Sequence, residues 1–412
     1  MKASRIKLKL LEILILVLPY HYLIFAVVLR NIPILKLWRD LLMIIIILLV
    51  CIEKKGKFKV TLSLCVNFLF CLLTIIYIVM SPCSNQAINV ARVYILPLLL
   101  FHAVQNCDFS DLEIAKLMKK VYVNTWFLCA YGIIQAYVLK STFLIKLGYG
   151  NAENGLGPEF FLSNYAGGFI TGGVQRVIST FASANIFAFY LSMVFIIFLF
   201  NDTYFPLSRK KKVLFLAIVG VTLVLTFSRS CWLAIAVALI VYARKPIREF
   251  LRRAKVYVSI FVVLIIMFIV FNSKIREALM HVVLASFSGT DTSLLSHASS
   301  KQDARELIKE SPLGLGLGLN GPRALNYGDA NLVESSYYLL MFEYGIGGGA
   351  LYFFDYFYIF FCSLIGRVKD RKREILLTLS LFVILAFLNI PYVQEIECTS
   401  LFFVLAGILM AR

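Results

Sequence analysis

Three arginines are the residues of this chain whose placement most strongly indicates chemistry. Arg176, Arg229 and Arg305 lie at or beside the ends of apolar segments, on the face that the charge pattern predicts to be external. An arginine there is costly unless it is paired, and snorkelling to the lipid headgroups is the alternative explanation for Arg229. A guanidinium binds phosphate oxygens through two parallel hydrogen bonds. The three arginines together therefore predict a site for an anionic lipid head such as a diphosphate.

A polar stretch beside Arg176 adds a second feature that suits a phosphate. The sequence from Arg176 to Asn185 precedes a long apolar segment, so Ser179 or Thr180 is predicted to cap the helix that follows. The positive end of that helix dipole would face the same exterior. Thr180 and Asn185 are therefore candidate ligand contacts, with helix capping and packing as the alternative for each.

The elements that must position these residues are membrane-spanning helices. Of the 412 residues, 60% are hydrophobic and 16% are charged, which leaves too little polar surface for a soluble globule of this size. Apolar segments long enough to cross ~30 Å of hydrocarbon recur along the chain. The sequence therefore predicts an all-α, polytopic membrane protein with a single transmembrane domain over 1–412. About twelve spans are expected, near 8–29, 34–52, 58–80, 88–105, 117–138, 180–200, 212–228, 230–243, 256–272, 335–364, 374–391 and 396–411.

The positions of lysine and arginine predict the orientation of these spans. Basic residues cluster at the N-terminus and in alternate short loops, which places both termini in the cytoplasm. Segments 141–179 and 273–334 then form external loops, and the second is the large one. The net charge of +18 is explained by this asymmetry, since no basic groove or reading motif indicates nucleic-acid binding. Arg92, inside the fourth span, is a further candidate for ligand binding, with pairing to Asp40 or a headgroup as the alternative.

The sequence gives no support for a metal or a cofactor. The four histidines are scattered without the spacing of metal ligands, and no Cys-x-x-Cys pair is present. The stretch from Gly314 to Gly321 superficially resembles a dinucleotide fingerprint, but that motif requires a βαβ unit. Its alternating glycines instead predict a tight, irregular turn that lets the backbone approach the bilayer or a ligand closely.

Three motifs give the chain a family resemblance. Arg176, Thr180, Phe181 and Asn185 match an Arg…Gly-Thr-Phe…Asn-Pro-Asn pattern in which Ser179 and Ala184 replace a glycine and a proline. Ser228-Arg229 matches a Ser-Arg hairpin. The third match comprises Arg305, then Pro312-Leu-Gly-Leu-Gly316, then Ser335-Ser-Tyr-Tyr-Leu-Leu-Met-Phe-Glu-Tyr-Gly345. In this order and topology, the chain resembles the superfamily of bacterial O-antigen polymerases and ligases, the Wzy and WaaL type.

The resemblance implies a fold and an activity. The fold would be GT-C-like, and the reaction a metal-independent glycosyl transfer at the outer face of the bacterial cytoplasmic membrane. The implied substrates are undecaprenyl-diphosphate-linked oligosaccharides, with a flippase and a chain-length regulator as potential partners besides membrane lipid. Ligases of the superfamily carry a His-Asn pair about ten residues before the Glu-x-Gly motif, and here those positions are Glu334-Ser335. The resemblance therefore favours a polymerase.

Glycosyl transfer from a lipid diphosphate also indicates a role for Glu334. The leaving diphosphate needs its charge neutralised, and the attacking hydroxyl needs a base. We expect Arg229 and Arg305, helped by Arg176, to serve the first need and Glu334 the second, with capping of the following span as the alternative for Glu334. Two other functions stay open from the sequence: a ligase with a different acceptor, and a flippase for lipid-linked oligosaccharides.

Overall fold

The structure of the protein is a computed structural model. It describes residues 2–58, 60–149, 165–166, 174–200, 206–242, 247–249, 251–252, 255, 259, 272–288, 292–321, 323–324, 333–366, 368 and 370–411. Most of the predicted external loop 141–179 and nearly all of the predicted span 256–272 lie outside these residues, as does part of the predicted loop 273–334.

Helices account for nearly all of the described secondary structure. The α-helices are α1 Lys2–Val17, α2 Trp38–Glu53, α3 Leu62–Met80, α4 Ser84–Gln105, α5 Asp111–Ile134, α6 Lys140–Leu147, α7 Ala184–Phe200, α8 Arg209–Leu225, α9 Arg229–Tyr242, α10 Ser273–Ser288, α11 Thr292–Glu310, α12 Ser336–Leu364, α13 Asp370–Ala386 and α14 Ile396–Met410. Two-residue strands β1, Tyr165–Ala166, and β2, Val174–Gln175, pair antiparallel. The prediction of an all-α polytopic membrane protein is confirmed, with this small strand pair as an addition.

Several of the helices are long and apolar enough to cross a membrane. Four pass on length and composition: Leu62–Met80, Ser84–Gln105, Asp111–Leu147 and Ser336–Leu364. A fifth candidate is the pair Ile6–Tyr20 and Tyr22–Val28, which is bent by 59° where one continuous span was predicted. Three shorter apolar helices coincide with further predicted spans: Ala184–Phe200, Arg229–Tyr242 and Ile396–Met410. The number twelve stays a prediction.

Polar residues set the ends of two of the longest helices. Thr61 caps α3, since its hydroxyl accepts the backbone N–H of Leu64 at 3.1 Å. Ser110 and Glu113 form a capping box at the start of α5, in which each side chain accepts the other residue's backbone N–H. Residues adjacent in sequence therefore determine where α3 and α5 begin, without a contribution from tertiary packing.

The described residues fall into two compact units. The first comprises Met1–Leu14, Trp38–Phe109 and Ser293–Arg412. In it, α4 packs against α14, α2 and α3, and α12 packs against α13 and α3. Gly407 of α14 allows the closest approach, because a Cβ at that position would lie 2.9 Å from Val104 Cβ.

The second unit comprises Ile15–Leu37 and Ser110–Thr292. Its helix α8 packs against α5 and α7, and α9 packs against α7. Gly132 of α5 sits directly beneath the chain that enters α7, since a Cβ there would lie 2.7 Å from Val177 Cγ1. The single transmembrane domain over 1–412 stays a prediction.

Candidate functional site

In the second unit, Arg176 ties three segments of the chain together. Its Nε donates to the carbonyl oxygen of Thr226 at 2.7 Å, and its Nη2 donates to Oδ1 of Asn185 at 2.7 Å. The backbone N–H of Val177 also donates to Leu225 O at 3.0 Å. The structure therefore brings Arg176 and Asn185 together, beside the turn that leads into Arg229.

The turn between α8 and α9 places Arg229 at the first position of α9. Phe227, just before it, has a left-handed backbone with φ of 51°, and Ser228 is buried. The indole Nε1 of Trp232 donates back to Leu223 O at 2.9 Å, which closes the turn. The predicted hairpin is thus present, and Arg229 is half-buried at its tip.

Thr180 is buried in the same unit, and its hydroxyl donates to the carbonyl oxygen of Pro19 at 2.7 Å. The predicted cap of α7 is wrong by a few residues, because Ser179 has a φ of 55° and the helix begins only at Ala184. Ser183 takes the capping position instead, and its Oγ accepts the N–H of Ile186 at 3.4 Å. The residue that caps the N-terminus of α7 is therefore Ser183, and not Ser179 or Thr180 as the sequence predicts.

In the first unit, Arg305 lies on the exposed side of α11. Its Nε donates to the hydroxyl of Tyr338 at 2.5 Å, and its guanidinium carbon lies 5.6 Å from the centre of that ring. Among the described residues, its two terminal nitrogens have no hydrogen-bond partner. The tyrosine fixes the side chain through Nε and the ring face, so the two terminal nitrogens are available to a ligand.

Glu334 contacts the helix that carries this arginine, α11. Its backbone N–H donates to Ser300 Oγ on α11 at 3.4 Å, and the residue is half-buried. Lys301, one turn before Arg305, donates from Nζ to Asn389 Oδ1 at 2.7 Å. Burial lowers the pKa of Lys301, while the charge of Glu334 raises it and that of Arg305 lowers it. Arg305, Lys301 and Glu334 therefore form one electrostatically coupled group, which we call the α11 cluster.

Sequence reasoning assigned no role to Glu343, which is completely buried in α12. Its Oε2 accepts the hydroxyl of Tyr94 at 2.5 Å, and its Oε1 accepts the backbone N–H of Gly318 at 3.2 Å. Gln394 completes the arrangement by donating from Nε2 to Tyr94 Oη at 3.1 Å. Glu343 thus holds the glycine-rich loop onto α12. An acidic residue inside an apolar span is the sequence signal that points to it.

The glycine-rich loop approaches the protein's own backbone. The N–H of Leu315 donates to Phe342 O at 2.7 Å, and the N–H of Ile346 donates to Pro312 O at 3.1 Å. A Cβ on Gly314 would lie 2.5 Å from the backbone nitrogen of Gly345. The tight turn is present, and the backbone that it approaches is that of α12; an approach to the bilayer or to a ligand stays a prediction.

Gly345→Ala is expected to weaken the attachment of the glycine-rich loop to α12. Gly345 has φ of 72° and ψ of 177° inside α12, and an added Cβ would lie 2.5 Å from Pro312 O. An L-residue in that conformation costs about 1–3 kcal/mol before the clash is counted. The midpoint of thermal unfolding in detergent should therefore fall. Gly347→Ala is the matched control, since a Cβ there meets nothing within 4 Å, and an unchanged midpoint in Gly345→Ala would contradict the assignment.

Arg92 pairs with Asp40 in the first unit. Its Nη1 lies 2.5 Å from Asp40 Oδ2, and its Nε donates to Asn89 O at 3.2 Å. Arg39, next to Asp40, is buried and forms an ion pair with Glu397 at the start of α14. Arg92 thus forms the ion pair with Asp40 that the sequence offers as the alternative explanation for it. Its role in ligand binding stays a prediction.

A comparison with known families adds an independent observation. Residues 213–353, about one third of the chain, match the family model described as O-antigen ligase. This part of the chain is similar to the O-antigen ligase family. The resemblance to the superfamily of O-antigen polymerases and ligases, predicted from three motifs, is thereby confirmed. No curated protein matches the chain.

The matched residues include Arg229, Arg305 and Glu334, together with Glu343 and Gly345. Arg92, Arg176, Thr180 and Asn185 precede them in sequence. The family supports a glycosyltransferase-like enzyme that acts at a membrane on lipid-linked oligosaccharides. The match does not distinguish a polymerase from a ligase.

Proposed function

We propose that this protein polymerises oligosaccharide repeat units carried on undecaprenyl diphosphate, at the outer face of the bacterial cytoplasmic membrane. The observation that carries the proposal is Arg305, which is held by Tyr338 through Nε while its terminal nitrogens have no hydrogen-bond partner among the described residues. A planar pair of donors beside a membrane-spanning helix suits the oxygens of a lipid diphosphate. The similarity of residues 213–353 to the O-antigen ligase family supports the same substrate class.

The reaction needs one bond made, one bond broken and one proton moved. The acceptor hydroxyl oxygen attacks the anomeric carbon of the donor sugar, and the bond from that carbon to the phosphate oxygen breaks. The bonding electrons leave with the diphosphate, whose negative charge Arg305 stabilises. Glu334, in the same α11 cluster, accepts the proton of the attacking hydroxyl. No metal is required for any of these steps.

Arg229 is proposed as a phosphate-binding residue of the second unit, as the sequence predicts, and Arg176 as the residue that supports it. In the second unit, Arg176 already donates to Thr226 O and Asn185 Oδ1. Two of its donors thus serve the protein, and Arg176 contributes chiefly by fixing the turn before Arg229. Thr180 stabilises the same segment, because its hydroxyl donates to the carbonyl oxygen of Pro19.

A polymerase is proposed over a ligase because of the residues that precede α12. Glu334-Ser335 occupy the positions at which the ligases of the superfamily carry His-Asn. A carboxylate in place of an imidazole changes the group available to accept the proton. The charge of Glu334 acts on Lys301, which lies one turn before Arg305 on α11, and this supports a place for the carboxylate in the α11 cluster.

The proposal is tested by the glycolipids that accumulate when the gene is deleted. We expect long surface polymer to disappear and single lipid-linked repeat units to accumulate at the outer face of the membrane, with wild-type protein restoring the polymer. Polymer that persists on the lipid carrier but fails to reach its acceptor would identify a ligase instead. Single units confined to the cytoplasmic face would identify a flippase. Either of these two outcomes overturns the proposal.

A further inference from the structure

A second polar cluster lies inside the first unit, away from the α11 cluster. Asp355 of α12 is completely buried, and both of its carboxyl oxygens have a neutral partner. Ser63 Oγ, from α3, lies 2.6 Å from Oδ1, and Asn67 Nδ2, from the same helix, lies 2.5 Å from Oδ2. A carboxylate inside a membrane domain is expensive unless a cation compensates its charge.

His102 of α4 is the only described basic residue within ion-pairing distance of Asp355, with 3.8 Å between Nε2 and Oδ2. The same Nε2 lies 2.7 Å from Asn67 Nδ2 and 3.5 Å from Ser63 Oγ. Asn67 therefore stands between the histidine and the aspartate. Its Oδ1 is buried without a hydrogen-bond partner among the described residues.

The amide of Asn67 excludes an ion pair between His102 and Asp355 in either of its orientations. With Nδ2 toward both residues, His102 Nε2 must accept a hydrogen bond, so the imidazole is neutral. With the amide turned by 180°, Oδ1 would lie 2.5 Å from Asp355 Oδ2, where two oxygens require a proton between them. An imidazolium beside a carboxylate fits neither arrangement. His102 therefore supplies no counter-charge to an ionised Asp355.

The other groups around Asp355 bring no positive charge either. Tyr352 and Tyr356 flank it on α12, with their hydroxyls 3.4 Å apart. The ring of Tyr356 packs against Phe402 and Phe403 of α14. Among the described residues, no lysine or arginine lies within 4.0 Å of the carboxyl group. Since no described side chain within ion-pairing distance compensates the charge, a proton on the carboxyl group itself would remove the cost of burying it.

We propose that Asp355 is an intramembrane proton-binding site, occupied at neutral pH, with Ser63, Asn67 and His102 as its polar surroundings. Binding forms one O–H bond on the carboxylate and changes no other bond. The site joins α3, α4 and α12, and α12 also carries Tyr338 and Glu343 toward its other end. Loss of the proton would leave an unpaired charge between these helices, so we expect the packing of α12 to weaken as the pH rises far enough to remove it.

Infrared difference spectroscopy of the purified full-length protein at neutral pH tests this proposal. The spectrum of the wild type minus that of Asp355→Asn should contain the carbonyl stretching band of a protonated carboxylic acid, and the band should shift in deuterium oxide. Asp303→Asn, which changes an exposed carboxylate on α11, should give only carboxylate bands. If Asp355→Asn also gives only carboxylate bands, Asp355 is ionised and the proposal is overturned.

Two further experiments test the proposal if Asp355→Asn fails to fold. His102→Asn should leave the carboxylic acid band unchanged, whereas a gain of that band would reveal an imidazolium partner in the wild type and overturn the proposal. Replacing choline chloride by sodium chloride should not alter the band. A band that fades with sodium would identify a sodium site in place of a proton site. No substrate is involved, so the result is independent of the proposed polymerase activity.

Discussion

Glu334→Gln is expected to abolish long polymer while the amount of protein in the membrane stays unchanged. Glutamine preserves the size of the side chain but cannot accept the proton of the attacking hydroxyl. A positioned general base contributes about a hundred- to ten-thousandfold to the rate of such a step. The fold should tolerate the change, because the contact of residue 334 with Ser300 is made by its backbone N–H. The measurement is the polymer ladder on a gel, together with turnover of a lipid-linked repeat unit by the purified protein.

Glu306→Gln is the matched control for this prediction. Glu306 is exposed on the same helix as Arg305, so the variant removes one negative charge nearby without touching residue 334. We expect its polymer to match that of the wild type in length and yield. Unchanged polymer from Glu334→Gln would exclude Glu334 as the base and would favour the alternative in which it only caps α12.

Hydropathy alone predicted much of the helical architecture. Segments such as 58–80 and 335–364 were recognised as spans because they are long and apolar, and the helices Leu62–Met80 and Ser336–Leu364 confirm them. That signal is local, so it needs no knowledge of the partners of each residue. The same hydropathy signal was wrong about the first span. The first predicted span is a bent pair of helices, because a π-helical segment from Tyr22 to Val28 follows the break.

The buried polar partners could not be predicted, because they are distant in sequence. Glu343 is bound by Tyr94 and Gly318, and Asp355 is bound by Ser63 and Asn67. An acidic residue in an apolar span signals that a partner exists, but the packing of α3, α4 and α12 decides which one. Side chains that satisfy such groups come from whichever helix lies adjacent in space.

The sequence indicated candidate site residues but not their contacts, and their roles stay predictions. The sequence indicated Arg305 by its position in an external segment, and the structure adds that Tyr338 holds it. For Arg176 the sequence suggested phosphate, whereas two of its donors contact Thr226 and Asn185. A guanidinium satisfies protein carbonyls and phosphate oxygens with the same donors, so sequence cannot distinguish the two uses.

The family motif around Glu343 and Gly345 also gains a physical explanation. Glu343 binds the N–H of Gly318, and Gly345 accepts the close approach of Pro312. Both residues thus attach the loop that follows α11 to the body of α12. Rigid support of this kind is what holds a catalytic side chain in its productive geometry. The attached residues, from Pro312 to Gly318, lie between Arg305 and Glu334 along the chain.

Arg305→Lys is expected to lower turnover about ten- to a hundredfold while the protein stays folded. Lysine keeps the positive charge but presents a single ammonium group, so the paired donors that match two phosphate oxygens are lost. One hydrogen bond to a charged group contributes about 1.5–3 kcal/mol, and each 1.36 kcal/mol corresponds to a factor of ten in rate. Turnover of a purified lipid-linked repeat unit measures the effect directly.

Two further variants separate the loss of the paired donors from other effects of Arg305→Lys. Arg276→Lys makes the same chemical change at an exposed position of α10 and should leave turnover unchanged. Tyr338→Phe removes the hydroxyl that accepts from Arg305 Nε but keeps the ring beneath the guanidinium, so it should reduce turnover by less than Arg305→Lys does. If Arg305→Lys retains wild-type turnover, charge alone suffices at this position and bidentate binding of the diphosphate is excluded.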